Sequence, residues 1–242
     1  MTRPVFIFTD FGVSGPYVGQ MHAALLKAGV TLDVVNLMAD APSFDPQSSA
    51  YLLAALLPHT SNDAVLLGVV DPGVGSQRQP LIVEADGRFL VGPDNGLFAL
   101  AVRQVKTWRA WTMTWRPETL SASFHGRDLF APVAAALARG QDPAGYGKPQ
   151  QALIGQDWPD DLPHVIYVDH YGNAITGIKG DVIETDRVFD LGGRRIPWAN
   201  TFSDVGHGQA FWYVNSIGLV EISVNCGSAG RDLNLEIGSF VG

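Results

Sequence analysis

The 242-residue chain holds a single cysteine, Cys226, which excludes an intrachain disulfide and any multi-cysteine zinc or iron-sulfur cage. Basic residues are also scarce. Sixteen Lys and Arg stand against 24 Asp and Glu, and the longest basic cluster is the pair in "GGRR". A nucleic-acid surface would usually show a basic stripe, so nucleic acid is not an expected partner. No apolar run approaches the roughly 18 residues of a membrane helix, and the opening "MTRPVFIFTDF" lacks a signal-peptide core. The expectation is a soluble, cytoplasmic protein without a membrane partner. The patterns GxGxxG, GxxxxGK[ST] and HExxH are missing too, so the usual dinucleotide, P-loop and compact metal signatures are absent. No cofactor and no metal is expected.

What is present changes character once along the chain. From residue 4 to about 140, apolar strand-like segments alternate with helical patterns: "VFIFT", a helix from Tyr17 to about Ala28, "LDVVNL", a helix opening at Asp45-Pro46, and "AVLLGVV" at 64–70. Pro46 suits a first helical position, where its missing N–H costs nothing, and Asp45 suits the N-cap. Strands that are apolar throughout are expected in a parallel sheet covered on both faces. "PLIVEADGRFLVG" reads as a hairpin turning at Asp86-Gly87, and "DLFAPVAAALARG" as a last helix ended by Gly140. Residues 141–163 hold four prolines and three glycines without a period and read as a connecting region. Beyond it, "HVIYVD", "RVFDLGGRRIPW", "FWYVN" and "LVEISVN" are short segments with no convincing amphipathic helix, a small all-β unit. The boundaries drawn are 1–155, a connector at 156–163, and 164–242.

Three polar residues fall at or near strand ends of the α/β part: Asp10, Asn36 and Asp71. Ligands of open parallel sheets bind outside the carboxyl ends of the strands, so these side chains can converge on one crevice. As single residues, Asp10 and Asp71 are equally well explained as turn or cap residues. The loop "VVDPGVGSQRQP" adds Arg78, which can reach back to Asp71 and hold its carboxylate ionised; the alternative is a rigid Gly/Pro loop with a surface arginine. His125, in "SASFHGRDLFAP", precedes the last helix of this part, where a helix N-terminus disfavours the imidazolium. It is either a neutral proton acceptor or a satisfied polar residue. His207, in "DVGHGQ", either meets a ligand or only turns the chain.

Six ordered motifs, "TDFG…YVGQMHAALL", "VVDPGVGSQR", "VGPDNGL", "SFHGRDLFAP", "DHYGNAIT" and "NSIGLVEISVNCG", resemble the S-adenosyl-L-methionine hydroxide adenosyltransferase family, which is related to fluorinase and chlorinase. The resemblance runs over nearly the whole chain. It implies an α/β fold, a Rossmann-like parallel-sheet N-terminal domain with a smaller C-terminal β-barrel, assembled as a homotrimer with ligands held between neighbouring subunits. It also implies the reaction, attack of water or hydroxide on ribose C5' of S-adenosyl-L-methionine to give adenosine and L-methionine. Carried over by motif, Asp71, Arg78 and His125 resemble the family's water-activating triad. Asp10 resembles the acid on the ribose hydroxyls, and Asp169, Asn173 and Ser216 resemble residues at the methionine amine, the adenine and the methionine carboxylate. S-adenosyl-L-methionine is then the substrate and no cofactor is implied.

Two differences separate the chain from the halogenating relatives, which have Tyr-Ser at the place of His125-Gly126 and lack the "DPGVG" loop; both favour water over halide. Two further positions differ at the methionine end. Gly15 stands where the family often has an acid, and Ile217 where fluorinase has an arginine. A non-catalytic adenosine or nucleoside binder, or a hydrolase of a related sulfonium nucleoside, therefore stays as the alternative.

The implied chemistry is physically coherent. Methionine leaves a sulfonium as a neutral sulfide and needs no general acid, so the site has to align a water and hold the ribose. Arg78 stays protonated and cannot be the base, which leaves His125, the better acceptor by intrinsic pKa, and Asp71.

Overall fold

The computed structural model describes residues 2–30 and 34–242, so Leu32 and Asp33 of the expected strand "LDVVNL" lie outside the described residues. The chain divides into two compact units, residues 1–158 and 159–242. In the first, β1 (Val5–Thr9), α1 (Tyr17–Lys27), β2 (Val34–Met38), α2 (Pro46–Leu56) and β3 (Val65–Val69) follow the alternating pattern. The strands β4 (Pro80–Ala85), β5 (Arg88–Pro93) and β6 (Trp108–Met113), the helix α3 (Ala131–Ala138) and the strand β7 (Gly147–Gln150) complete it.

These strands form one seven-stranded sheet in the order β2-β1-β3-β5-β4-β6-β7. β2, β1, β3 and β5 are parallel, while β4, β6 and β7 join antiparallel, so the sheet is mixed. All five residues of β3 are buried, as its unbroken apolar sequence requires. Ile7 and Leu67 share a core with Met21 and Leu25 of α1 and Val133 and Leu137 of α3. Phe8 and Leu66, one residue along, are equally buried and point to the opposite face. Covering both faces fixes the register: a slip of one residue would exchange the two cores.

Local chemistry sets the element ends. Asp45 caps α2 by accepting from the Ser48 N–H at 3.0 Å, with Pro46 in its first turn; such a cap contributes about 1 kcal/mol. The hairpin turns at Asp86 and Gly87, both at positive φ (45° and 94°), the backbone a two-residue turn needs. The expected helix at "DLFAPVAAALARG" is shorter than its pattern. It opens as a π-turn over Gly126–Phe130 and becomes α-helical only from Ala131.

The stretch 141–163, read as a connecting region around the connector drawn at 156–163, is partly sheet, a correction to that reading. β7 lies inside it and pairs antiparallel with β6, from Ala110↔Gln150 to Met113↔Gly147. Pro149 hid the strand, because proline is a poor central-strand residue. It is tolerated at an edge, where one row of N–H groups needs no partner.

The named strands of the second unit all pair antiparallel. β8 (Leu162–Val168), β9 (Ala174–Lys179), β12 (Ala210–Val214) and β13 (Leu219–Val224) form a sheet in the order β12-β13-β9-β8, and β10 (Phe189–Leu191) pairs with β11 (Arg194–Ile196) as a separate hairpin. Its core gathers Trp212, Phe189, Val220 and Ile222. A single helical turn, α4 (Ala229–Asp232), is capped by the Ser228 hydroxyl, which accepts from Arg231 N–H at 3.2 Å. Among the described residues no helix is long and apolar enough to cross a membrane.

Candidate active site

Asp10 follows the last residue of β1, and Asp71 comes two residues after β3, so adjacent parallel strands deliver both acids to the same sheet edge. Both line a cavity of about 610 Å³. His125 lines it as well, carried there at the start of the π-turn before α3. Asn36 does not join them. It sits in the middle of β2, opposite Ile7, and is absent from the cavity wall.

Arg78 lies against Asp71. Its Nε donates to Oδ1 at 3.0 Å and its Nη2 donates to Oδ2, a fork-on-carboxylate pair in which both side chains are almost wholly buried, at 8% and 5% exposure. The guanidinium also donates from Nη1 to the Gln79 carbonyl at 3.1 Å and stacks over the Phe130 ring at 5.4 Å. A planar cation fixed at so many points holds Asp71 in one orientation. The loop that joins the pair is packed tightly. Gly75 is at φ +78°, and a Cβ there would stand 2.7 Å from the Ala122 carbonyl oxygen. Glycine thus lets the "DPGVG" loop lie directly on the segment that leads to His125.

The third contact decides the state of the histidine. Nη2 of Arg78 lies 3.4 Å from Nδ1 of His125. Since the guanidinium only donates, Nδ1 faces it as an acceptor and the neutral ring carries its hydrogen on Nε2. Burial pushes the His125 pKa below 6.5, and the charge of Arg78 pushes it further down, against a smaller upward pull from Asp71. The lowering expected from sequence is there, but its causes are burial and the arginine rather than a helix N-terminus.

Asp10 is held differently. It accepts the Phe44 N–H on Oδ2 at 3.0 Å, and burial raises its pKa above 3.8, with the nearby charge of Asp71 adding to the rise. Phe44 presents that N–H from a left-handed backbone (φ 59°), uncommon for a bulky residue, and the residue is 77% exposed while lining the cavity. Phe11, Tyr17 and Phe124 form an apolar wall of mutually tilted and edge-on rings, with centroids 5.6–5.9 Å apart. None of these four aromatics was found by sequence reasoning. Phe11 directly follows Asp10 and Phe124 directly precedes His125, which was the available signal; nothing in the sequence marks Phe44.

In the second unit, Asp169 and Asn173 are brought together. Asp169 accepts from Tyr171 N–H at 2.9 Å, from Asn173 N–H at 2.8 Å and from Asn173 Nδ2 at 2.9 Å, closing the "DHYGN" turn on itself. Both line a cavity of about 460 Å³ with Tyr171, Phe202, Tyr213 and Glu221. Ser216 is exposed on the turn between β12 and β13 and does not line that cavity. Glu221 is a buried carboxylate that sequence reasoning passed over, because its place in "LVEISVN" looks like ordinary strand alternation. His207 lies in a turn between Gly206 and Gly208 and does not line the second unit's cavity. Among the described residues no group of three or more His, Cys, Asp or Glu side chains is placed to hold a metal ion.

Comparison with known proteins places this geometry. Residues 5–147 match the model of the SAM hydroxide adenosyltransferase N-terminal domain, and residues 163–242 match that of its C-terminal domain. A Thermus thermophilus protein named (R)-S-adenosyl-L-methionine hydrolase is 39% identical, over 98% of this chain and 97% of its own. A Salinispora arenicola protein of the same name is 35% identical, over 91% and 90%. Among solved structures, an uncharacterized conserved protein from Thermotoga maritima superposes with a TM-score of 0.88 at 25% identity, covering 97% of both chains. A conserved hypothetical protein from Thermus thermophilus gives 0.80 at 38% identity, over 98% of this chain and 97% of that one. With both domain models matched in order along nearly its full length, the chain belongs to the SAM hydroxide adenosyltransferase family.

Proposed function

We propose that this protein hydrolyses S-adenosyl-L-methionine to adenosine and L-methionine. The observation that carries the reading is that Asp71, gripped from behind by Arg78, lines one cavity with His125 and Asp10. The names of the curated relatives support it. Those names specify the R configuration at sulfur, and we take that epimer as the preferred substrate.

In this reading a water lone pair forms the C5'–O bond while the C5'–S bond breaks, its electron pair passing to sulfur and cancelling the sulfonium charge. The attacking oxygen becomes strongly acidic as its bond to carbon forms, so a carboxylate suffices to take its proton. Asp71 is assigned that role. The bonds from Arg78 leave further lone pairs on its oxygens, whereas Nδ1 of His125 is engaged by the guanidinium. His125 then positions Arg78 and, through it, Asp71. Asp10 accepts from the ribose hydroxyls, and the rings of Phe11, Tyr17 and Phe124 exclude water from the nucleoside face.

Asp169 and Asn173 are assigned to the methionine amine and adenine, and Ser216 to the methionine carboxylate, on the motif resemblance. Homotrimeric assembly with ligand shared between neighbouring subunits, and a cytoplasmic setting, belong to the same proposal. So do the Rossmann-like reading of the first unit, supported by its parallel run β2-β1-β3-β5, and the barrel-like reading of the second, supported by the isolated bridges Trp198↔Trp212 and His164↔Phe240, which join β12 and β8 to residues outside the sheet.

The test is turnover of each sulfonium epimer in water enriched in heavy oxygen. Equimolar adenosine and methionine, with the label at the adenosine 5'-hydroxyl, is the expected result. Unlabelled adenosine would overturn attack at C5', and the absence of turnover would favour a binding protein.

A further inference from the structure

The second unit buries one carboxylate for which the proposed chemistry has no use. Glu221, in the middle of β13, is 4% exposed. It accepts from Tyr213 Oη at 2.5 Å and Ser223 Oγ at 3.3 Å on Oε1, and from Asn215 Nδ2 at 2.9 Å on Oε2. Burying a carboxylate is costly, and three donors converge to offset it. A strand position paired with Tyr213 and Ile175 would hold a valine or isoleucine more cheaply. The acid therefore needs a reason beyond packing.

Its effect passes through Asn215. With Nδ2 held by Glu221, the opposite end of the amide, Oδ1, accepts the N–H groups of Ile217 at 3.1 Å and Leu219 at 3.0 Å. The Asn215 N–H in turn donates to the Leu219 carbonyl at 2.9 Å, and the Gly218 N–H donates to the Asn215 carbonyl at 3.0 Å. Every one of these bonds shapes the turn 215–218, in which Ser216 and Gly218 are exposed and Ser216 alone of the two carries a side chain. An asparagine amide has one acceptor end and one donor end, so Glu221 decides which end faces the turn. We propose that Glu221 is a positioning residue for substrate recognition, orienting Asn215 so that the 215–218 turn presents Ser216 in its binding geometry. This rests on the assignment of Ser216 to the substrate carboxylate.

A glutamine at 221 makes the idea testable, because it keeps the shape and replaces one acceptor by an NH₂ donor. If its oxygen stays on Tyr213 and Ser223, its nitrogen meets Asn215 Nδ2, donor against donor. The asparagine then loses the bond that anchors its Nδ2, and Oδ1 is no longer locked onto the two backbone N–H groups. KM and kcat for S-adenosyl-L-methionine, with folded fraction, are measured for wild type, E221Q, S216A, the double variant, and Y213F, which removes one donor without changing the core. The expected result is a KM raised about tenfold in E221Q, a smaller rise in Y213F, and a kcat that falls less than KM rises. The double variant should be no worse than the more affected single variant, since both substitutions disable one contact. Wild-type KM in folded E221Q, or effects of E221Q and S216A that multiply, would overturn the positioning role while leaving hydrolysis intact. Should E221Q fail to fold, an unchanged KM in Y213F overturns it equally. A wild-type protein without turnover would instead overturn the functional reading, and this role with it.

Discussion

Arg78 stands between Asp71 and His125, forked onto the carboxylate and 3.4 Å from the imidazole Nδ1. The arrangement orders the three side chains by what each can exchange. The guanidinium gives hydrogen bonds to both neighbours and takes a proton from neither.

The first prediction follows from that order. Asp71→Asn should lower kcat by about 10²–10⁴-fold, the range for removing a general base, with a smaller change in substrate affinity. His125→Asn, whose Oδ1 can still accept from Arg78, should cost about tenfold. Burial and Arg78 hold the His125 pKa below 6.5, so the ring is neutral at pH 7 and charges only as acid carries the pH below that value. Protonation would set imidazolium against guanidinium, so wild-type kcat should be flat above pH 6.5 and fall below it. In His125→Asn that acid limb should be diminished. Steady-state kinetics from pH 5 to 8.5 read both effects, and a wild-type rate in folded Asp71→Asn would move the proton to His125.

Asp10 gives the second prediction, and its sign is opposite to that of an ordinary surface acid. Its pKa is raised above 3.8 in the folded protein, chiefly by burial. A group with a raised folded pKa favours the folded state while protonated, and that contribution is lost as pH rises through the folded value. At pH 7 the ionised Asp10 therefore weighs against stability. Asp10→Asn keeps an acceptor for the Phe44 N–H, so its melting temperature at pH 7 should equal or exceed wild type. Its kcat/KM should still fall at least about tenfold, because a neutral amide holds the ribose hydroxyls less well. Calorimetry beside kinetics checks the pair, and a clear loss of stability would contradict the account of burial.

The third prediction concerns assembly. Asp71 belongs to the first unit and Asn173 to the second. If neighbouring subunits share each ligand, mixing Asp71→Asn chains with Asn173→Ala chains should restore activity, since some mixed trimers contain sites with both wild-type contributions. Mass spectrometry of the mixture establishes subunit exchange. Exchange without recovered activity would place both contributions in one chain.

The sequence was most legible where one physical cause dominated. β3 was readable because burial on both faces leaves no room for a polar residue, and α2 because Asp45-Pro46 is a start signal with a mechanism. β7 escaped because its residues are chosen for an edge, where proline and polar side chains are tolerated. β6 carries two tryptophans and an arginine in a pattern without clean alternation, and its place is set by pairing with β4, a tertiary fact. At the site, the same contrast holds. Asp10, Asp71 and Arg78 were marked by strand ends and a glycine-rich loop, while Phe44 owes its position to a backbone angle that no residue type announces.

The buried pairing of Arg78 with Asp71 has a consequence for what happens after the reaction. The two charges cancel each other beside the cavity, which leaves Asp10 as the one acid lining it, among the described residues, that has no arginine partner and is free to attract a sulfonium. Hydrolysis destroys that positive charge: adenosine is neutral and methionine is a zwitterion. The Coulombic attraction that favours entry therefore vanishes in the products, and each turnover weakens the hold of the pocket on its own contents. Inhibition by adenosine should then depend little on ionic strength, whereas substrate capture should weaken as salt rises.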